Sequence, residues 1–132
     1  MALKRELRLR RSRDFQRVRQ QGRSVASKLL VLAWAPTESD QVRVGFVVSR
    51  RIFKLATRRN RIKRLLSEAI RPCLPRLRGV DIVLIPRREA LEVDLQTLRA
   101  DVQTLLRRAR LLLTDEAFGR QRAAGRSVHK GR

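Results

Sequence analysis

Arg58, Arg59, Asn60, Arg61, Lys63 and Arg64 fall within about two helical turns of one another, in the stretch TRRNRIKRLLSEAIR from Thr57 to Arg71. Guanidinium forks bind phosphate oxygens in pairs, and the open N–H groups at a helix start bind them too. The chemistry such residues support is capture of a phosphate-rich partner. Ile62, Leu65, Leu66, Ala69 and Ile70 stand at i, i+3, i+4, i+7 and i+8 in the same stretch, the apolar stripe of a helix lying on a core. Asn60, Arg64, Ser67 and Arg71 then share the opposite face, with Arg61 and Lys63 beside them. A basic back on such a helix is commonly a solvated face. That reading leaves Arg58, Arg59 and Arg61 unexplained, because the first turn carries positive partial charge and favours acids. A local rule broken without local benefit marks a place to look for function, and an anionic partner would supply the benefit.

The rest of the composition agrees. The 132 residues carry a formal net charge of +21, a field that calls for a polyanion, with nucleic acid first. Arginine supplies most of it, since Lys4, Lys28, Lys54, Lys63 and Lys130 are the only lysines. An anionic membrane is the second candidate, but no segment approaches the ~18 apolar residues of a span. The N-terminus lacks the apolar run of a signal peptide. Cys73 is alone, so no disulfide framework exists and a reducing compartment fits. Protein-borne catalysis has little to work with. His129 is the only histidine and lies near the C-terminus, which removes a nucleophile–histidine arrangement from the domain. One His and one Cys make no zinc site, and no P-loop is present. The acids read as helix-start residues, turn residues or partners of nearby arginines rather than a metal-nuclease cluster.

The elements that must position the basic stretch follow from the patterning. Residues 1–11 read as a basic arm. A first helix over about Arg13–Gln21 has Ser12 as cap, Asp14 in its first turn and Gly22 at its end. An apolar strand spans about Val25–Ala35 and stops at Pro36. A second, Val42 to about Arg51, alternates Val42, Val44, Phe46 and Val48 on one face, and the two are expected to form an antiparallel hairpin. The basic helix follows, capped by Thr57 or starting nearer Asn60, and ends at Pro72 and Pro75. Gly79–Pro86 reads as a short strand. A last helix runs from about Asp94 to Leu113, and residues 114–132 form a basic tail of disordered character. One domain over 12–113 results: an α+β sandwich with helices on one face of a small sheet and the other face partly open, a groove suited to single-stranded nucleic acid.

The chain resembles the protein component of bacterial ribonuclease P. RRNRIKRLLSEAIR at Arg58–Arg71 is similar to that family's arginine–asparagine–arginine signature helix, and VGFVVSRR at Val44–Arg51 to its second strand and terminal basic pair. RLRRSRDFQRVRQQGRS at Arg8–Ser24 and GVDIVLIPRR at Gly79–Arg88 resemble its opening helix and third strand. The similarity covers about residues 8–113. It implies an α-β-β-β-α-β-α fold like the second domain of ribosomal protein S5, one strand more than the patterning yields, with the extra strand inside Val25–Arg51. It also implies a left-handed crossover, against the usual preference. By the resemblance the chain is a cofactor: an RNA subunit, with bound magnesium, hydrolyses a phosphodiester in precursor tRNA and frees the mature 5′ end. The resemblance assigns Arg50, Arg51, Arg58, Arg59, Asn60, Arg61, Lys63 and Arg64 to RNA contact. It places the single-stranded 5′ leader against Phe15, which the residues alone read equally as a core contact for Val18. Arg19 stands where many relatives carry a second aromatic and is expected to bind the leader instead, by phosphate contact or guanidinium stacking; Ala33 stands where they often carry another. Trp34 is adjacent, but strand alternation sends it to the opposite face. The implied assembly is one protein per RNA, cytoplasmic and without a membrane.

Three other readings compete. A ribosomal or RNA-assembly protein shares the charge and fold but does not need the signature helix. A helix-turn-helix protein needs two helices joined by a short turn, whereas this basic helix is flanked by strands. A free-standing nuclease would cleave RNA with no RNA subunit present.

Overall fold

The computed structural model describes Leu3 and residues 7–112. Helix α1 (Ser12–Gln21) leads into strands β1 (Arg23–Ala26), β2 (Leu30–Pro36) and β3 (Val42–Phe46). Helix α2 (Ala56–Ile70) runs into a 3-10 turn, and strand β4 (Val80–Pro86) and helix α3 (Leu95–Arg108) complete the domain. The expected single strand over 25–35 is two strands, which supplies the strand that patterning missed. Ser27 makes the break: its hydroxyl accepts from the N–H groups of Leu29 (3.0 Å) and Leu30 (3.2 Å) and donates to Asp101 on α3. A serine side chain here does what Gly or Asn usually signals in a hairpin.

The sheet order is β1-β2-β4-β3. The expected hairpin between Val25–Ala35 and Val42–Arg51 does not form: β2 and β3 are not neighbours. Strand β4 lies between them, antiparallel to β2 and parallel to β3, so α2 is the crossover linking β3 to β4. Like β2, β4 is flanked on both sides, and it is buried along nearly its whole length, as a central strand should be. β3 also ends at Phe46, short of the expected Arg51.

Side-chain alternation sorts the core into two layers. Leu30, Leu32, Ile82 and Leu84 face α2 and α3, where Ile62, Leu66, Ile70, Leu98, Val102 and Leu105 close the main core. Ala33, Ala35 and Val83 face the other way and are covered by Val18 of α1 and by Leu9. Helices therefore lie on both faces. Placing them all on one holds for α2 and α3 and fails for α1, whose apolar edge is too narrow to be read as a covering layer. Ala33 and Trp34 do fall on opposite faces, as alternation requires.

Residues 7–11 are not a free arm. Leu9 is buried, its N–H donates to the Val44 carbonyl at 2.9 Å, and Arg8 bridges to Val44 in parallel. The segment thus lies along the outer edge of β3. Residues 114–132, read as a tail, lie outside the described residues. Gly22 follows α1 in extended conformation, not as a left-handed cap. It is glycine for space, since a Cβ would sit 2.1 Å from the Trp34 carbonyl oxygen.

Candidate nucleic-acid interface

Phe15 owes its position to an ionic clamp beneath α1. Asp81 on β4 is fully buried. Arg43 of β3 grips it with Nε (2.9 Å) and Nη2 (2.8 Å), and Arg17 of α1 donates to it from the helix side. Arg43 Nη1 also lies 3.5 Å from Asp14, and Arg17 Nη1 donates to the Pro36 carbonyl at 3.2 Å. The hydrogen bonds to Asp81 hold the Arg43 guanidinium above its ordinary range, against the opposing effect of burial. A carboxylate at this depth must be paired; here the pairing fastens α1 to two strands. Asp81 is therefore an arginine's partner, as the sequence suggests.

So held, α1 lays the Phe15 ring against the backbone of β3. A Cβ at Gly45 would sit 2.4 Å from Phe15 Cζ, so only glycine admits the ring there. Phe15 is half-buried and packs with the Val18 cluster, so it serves the core while keeping one part of the ring open. Phe15 and Gly45 line a hollow of about 420 Å³ along the β3 edge. The hollow is also lined by Phe46, by Arg8 and Arg10 of the N-terminal segment, and by Asn60, Lys63, Arg64 and Ser67 of α2.

The structure brings Phe15, Asn60, Lys63 and Arg64 of the expected site residues to this one place. Arg58 and Arg61 are exposed on α2 but do not line the hollow. Arg50 and Arg51 stand exposed on a turn after β3 rather than at a strand end. Ser49 shapes that turn by accepting from the N–H groups of Arg51 (3.1 Å) and Ile52 (3.2 Å). Arg59 has a structural role, because its Nη1 donates to the carbonyls of Phe53 and Lys54, both at 2.9 Å, tying the loop to the helix. Arg19 is exposed on α1 outside the hollow. Ser67, placed on the basic face by periodicity, is buried and donates to the Lys63 carbonyl at 2.9 Å. Leu65, placed on the stripe, is only half-buried.

Arg8, Arg10 and Phe46 are the lining residues that sequence reasoning misses. The signal for the arginines is the alternation Leu7-Arg8-Leu9-Arg10, a strand-like period in a segment read as a basic arm.

The start of α2 is electrostatically bare. Leu55, 57% exposed, occupies the N-cap position. No side chain caps the helix and no acid sits in its first turn; Thr57, an expected cap, lies inside the helix. Arg58 and Arg61, both exposed, stand in the first two turns. Phosphate binding suits this arrangement and the hollow beside it. Nucleophilic chemistry has no comparable support: Cys73 is buried, and burial pushes its thiol up despite nearby Arg107, Arg76 and Arg99. Among the described residues no three His, Cys, Asp or Glu side chains gather as a metal site, and no helix is long and apolar enough to cross a membrane.

Comparison with known proteins gives a consistent picture. A family model described as Ribonuclease P matches residues 3–110. The ribonuclease P protein component of Chloroflexus aggregans is 45% identical over 116 residues, spanning 86% of this chain and 85% of that protein. That of Caldanaerobacter subterraneus is 36% identical over 104 residues, spanning 78% and 89%. Among solved structures, the RNase P protein from Thermotoga maritima superposes with a TM-score of 0.69 at 37% identity, covering 76% of this chain and 96% of that one. The Staphylococcus aureus RNase P protein gives 0.73 at 28% identity, covering 80% and 97%.

Proposed function

The chain belongs to the ribonuclease P protein family, as the protein subunit of that tRNA-processing ribonucleoprotein, and from this premise we propose that it acts as a non-catalytic cofactor to the RNA subunit. In this reading the RNA hydrolyses the phosphodiester and the protein lowers the electrostatic cost of bringing two RNAs together. Magnesium serves the reaction and is held by the RNA; the described carboxylates do not cluster into a set that fits a resident ion.

The observation that carries the proposal is the hollow at the β3 edge, where the Phe15 ring meets Asn60, Lys63 and Arg64 of a helix whose start has neither acid nor cap. A leader nucleotide stacks on Phe15, worth about 1–3 kcal/mol per base, and Arg8 and Arg10 hold the adjoining backbone. Arg50, Arg51, Arg58 and Arg61, all exposed around the start of α2, face the ribonuclease P RNA. Arg59 acts indirectly by shaping the loop, and Arg19 guides the leader by charge. One protein serves each RNA, in the cytoplasm.

The test is reconstitution. Protein freed of RNA, combined with ribonuclease P RNA, is expected to cleave precursor tRNA at magnesium concentrations where the RNA alone is slow. Phe15→Ala should weaken this for substrates with a leader and leave leaderless tRNA binding unchanged. Cleavage by the protein alone would overturn the cofactor reading. Equal loss with and without a leader would overturn the role given to Phe15.

A further inference from the structure

Trp34 is the only tryptophan in the chain, and the leader reading leaves it unused. It lies on the sheet face opposite Phe15, half-buried at the margin of the main core. A groove of about 420 Å³ opens over it where β1 begins, β2 ends and β4 begins. α3 stops at Arg108 and does not cover this end of the sheet; Ala109 and Leu111 form one wall of the groove instead. Arg23 is the residue directly opposite Trp34 across the β1–β2 pair, so both side chains stand on the same face. Arg78 lines the groove just before β4, with an exposed carboxylate, Asp40, 3.2 Å away.

An aromatic face set beside arginines on an apolar wall is the arrangement that binds an unpaired nucleotide: the base stacks and the guanidinium groups take the phosphates. Charge selects among occupants. The last twenty residues carry five cations against Asp115 and Glu116, so the chain's own end is repelled from an arginine-flanked groove. A second copy of a +21 chain is repelled more strongly. A polyanion is attracted.

We propose that this groove is a second single-stranded RNA site, in which an unpaired base stacks on Trp34 and Arg23 and Arg78 hold the flanking phosphates. It rests on the RNA-partner reading above but is independent of the Phe15 hollow, which lies at the other edge of the sheet. The unpaired nucleotide comes either from the leader or from the ribonuclease P RNA, and the two chemistries are the same.

Because the chain has one tryptophan, its emission reports on this groove alone. The full-length protein is titrated separately with a single-stranded leader decamer and with ribonuclease P RNA, and binding is followed independently by anisotropy of the labelled RNA. Saturable quenching is expected with at least one of them, which names the source, and it should persist in Phe15→Ala. A blunt duplex should leave the emission unchanged. Arg23→Ala with Arg78→Ala should abolish the quenching while thermal unfolding stays as in the wild type. With the quenching RNA, the log–log salt slope should flatten by about 1.4, two phosphates at ~0.7 each. Unchanged emission at saturation with both RNAs would overturn the proposal, as would quenching that disappears with Phe15→Ala. Failure of the wild type to stimulate cleavage would instead overturn the cofactor reading, so the two failures are separable.

Discussion

Helices α2 and α3 pack side by side on the same sheet face, yet their ends are built by opposite rules. α3 follows local physics throughout. Asp94 caps it by accepting from the Thr97 N–H at 2.8 Å, and Arg107 and Arg108 sit in its last turn, where the dipole favours cations. Its C-terminus closes in a Schellman pattern, with the Leu111 N–H donating to Leu106 and that of Arg110 to Arg107. α2 begins with an exposed leucine and arginines, has no acid in its first turn and has no cation in its last. Their buried stripes are equally complete, so the difference lies at the termini and on the outer face. The termini of α3 satisfy the fold. α2 gives up local stability at its start, which under the proposed function an anion would restore.

The largest expected effects test whether the two buried stripes are in fact equivalent. Leu66→Ala in α2 and Leu98→Ala in α3 each empty a fully buried site and should each cost about 2–5 kcal/mol in chemical denaturation. A much smaller loss for Leu66 would mean that α2 is weakly anchored throughout, and the contrast would no longer be confined to its ends. Next, Leu55→Asp installs the missing cap. It should stabilise the free protein by about 1 kcal/mol while weakening assembly with the RNA; a gain in both would show that the bare terminus has no partner.

At the other helix, Arg110 adopts a left-handed φ of 61°, a conformation glycine reaches without strain. Arg110→Gly should add about 0.5–1 kcal/mol, read as a raised midpoint, and leave cleavage unaltered. Arg61→Ala and Arg64→Ala should move stability by no more than about 0.5 kcal/mol and still reduce RNA affinity. Unfolding by either would make the basic face structural.

The smallest effect appears only in acid. Hydrogen bonding by Thr97, through its side chain and then its backbone N–H, holds the Asp94 carboxyl below its ordinary value. A depressed folded value stabilises above the unfolded one and is lost as pH falls through it. The stability gap between wild type and Asp94→Asn should therefore shrink below pH 3.8, the ordinary value. A gap that widens there would remove Asp94 from the cap.

What is legible in the sequence follows from how local each feature is. The stripe of α2 can be read because Ile62, Leu66, Ala69 and Ile70 repeat within one helix. The basic helix can be singled out because its arginines break the charge rule of a helix start, whereas Phe15 is singled out only by the family resemblance. The β1–β2 break cannot be read, because Ser27 acts through its hydroxyl and a contact with Asp101, far along the chain. Placement of β4 between β2 and β3 is a competition among strands that no single segment encodes. The tie made by Arg59 cannot be read for a similar reason: the carbonyls it binds belong to a loop that carries buried Phe53. Ser67 is polar enough to be read outward, but its hydroxyl is satisfied by the helix itself and so tolerates burial.

The position of β4 has a consequence for how the chain is made. Among the described residues it is the last strand to be synthesised and the only one that joins β2 to β3. Until Pro86 has emerged, β3 has only the 7–11 segment beside it and nothing on its inner edge, and the β1–β2 hairpin exposes an apolar face. At ~5–20 residues per second, the ribosome needs about 1–4 s to pass from Arg64 to Pro86, during which the arginines at the start of α2 have no complete sheet beneath them. Such a chain is a polycation next to ribosomal RNA before it is a domain. Its maturation is therefore a race between closure of the sheet around its last strand and capture by the wrong nucleic acid.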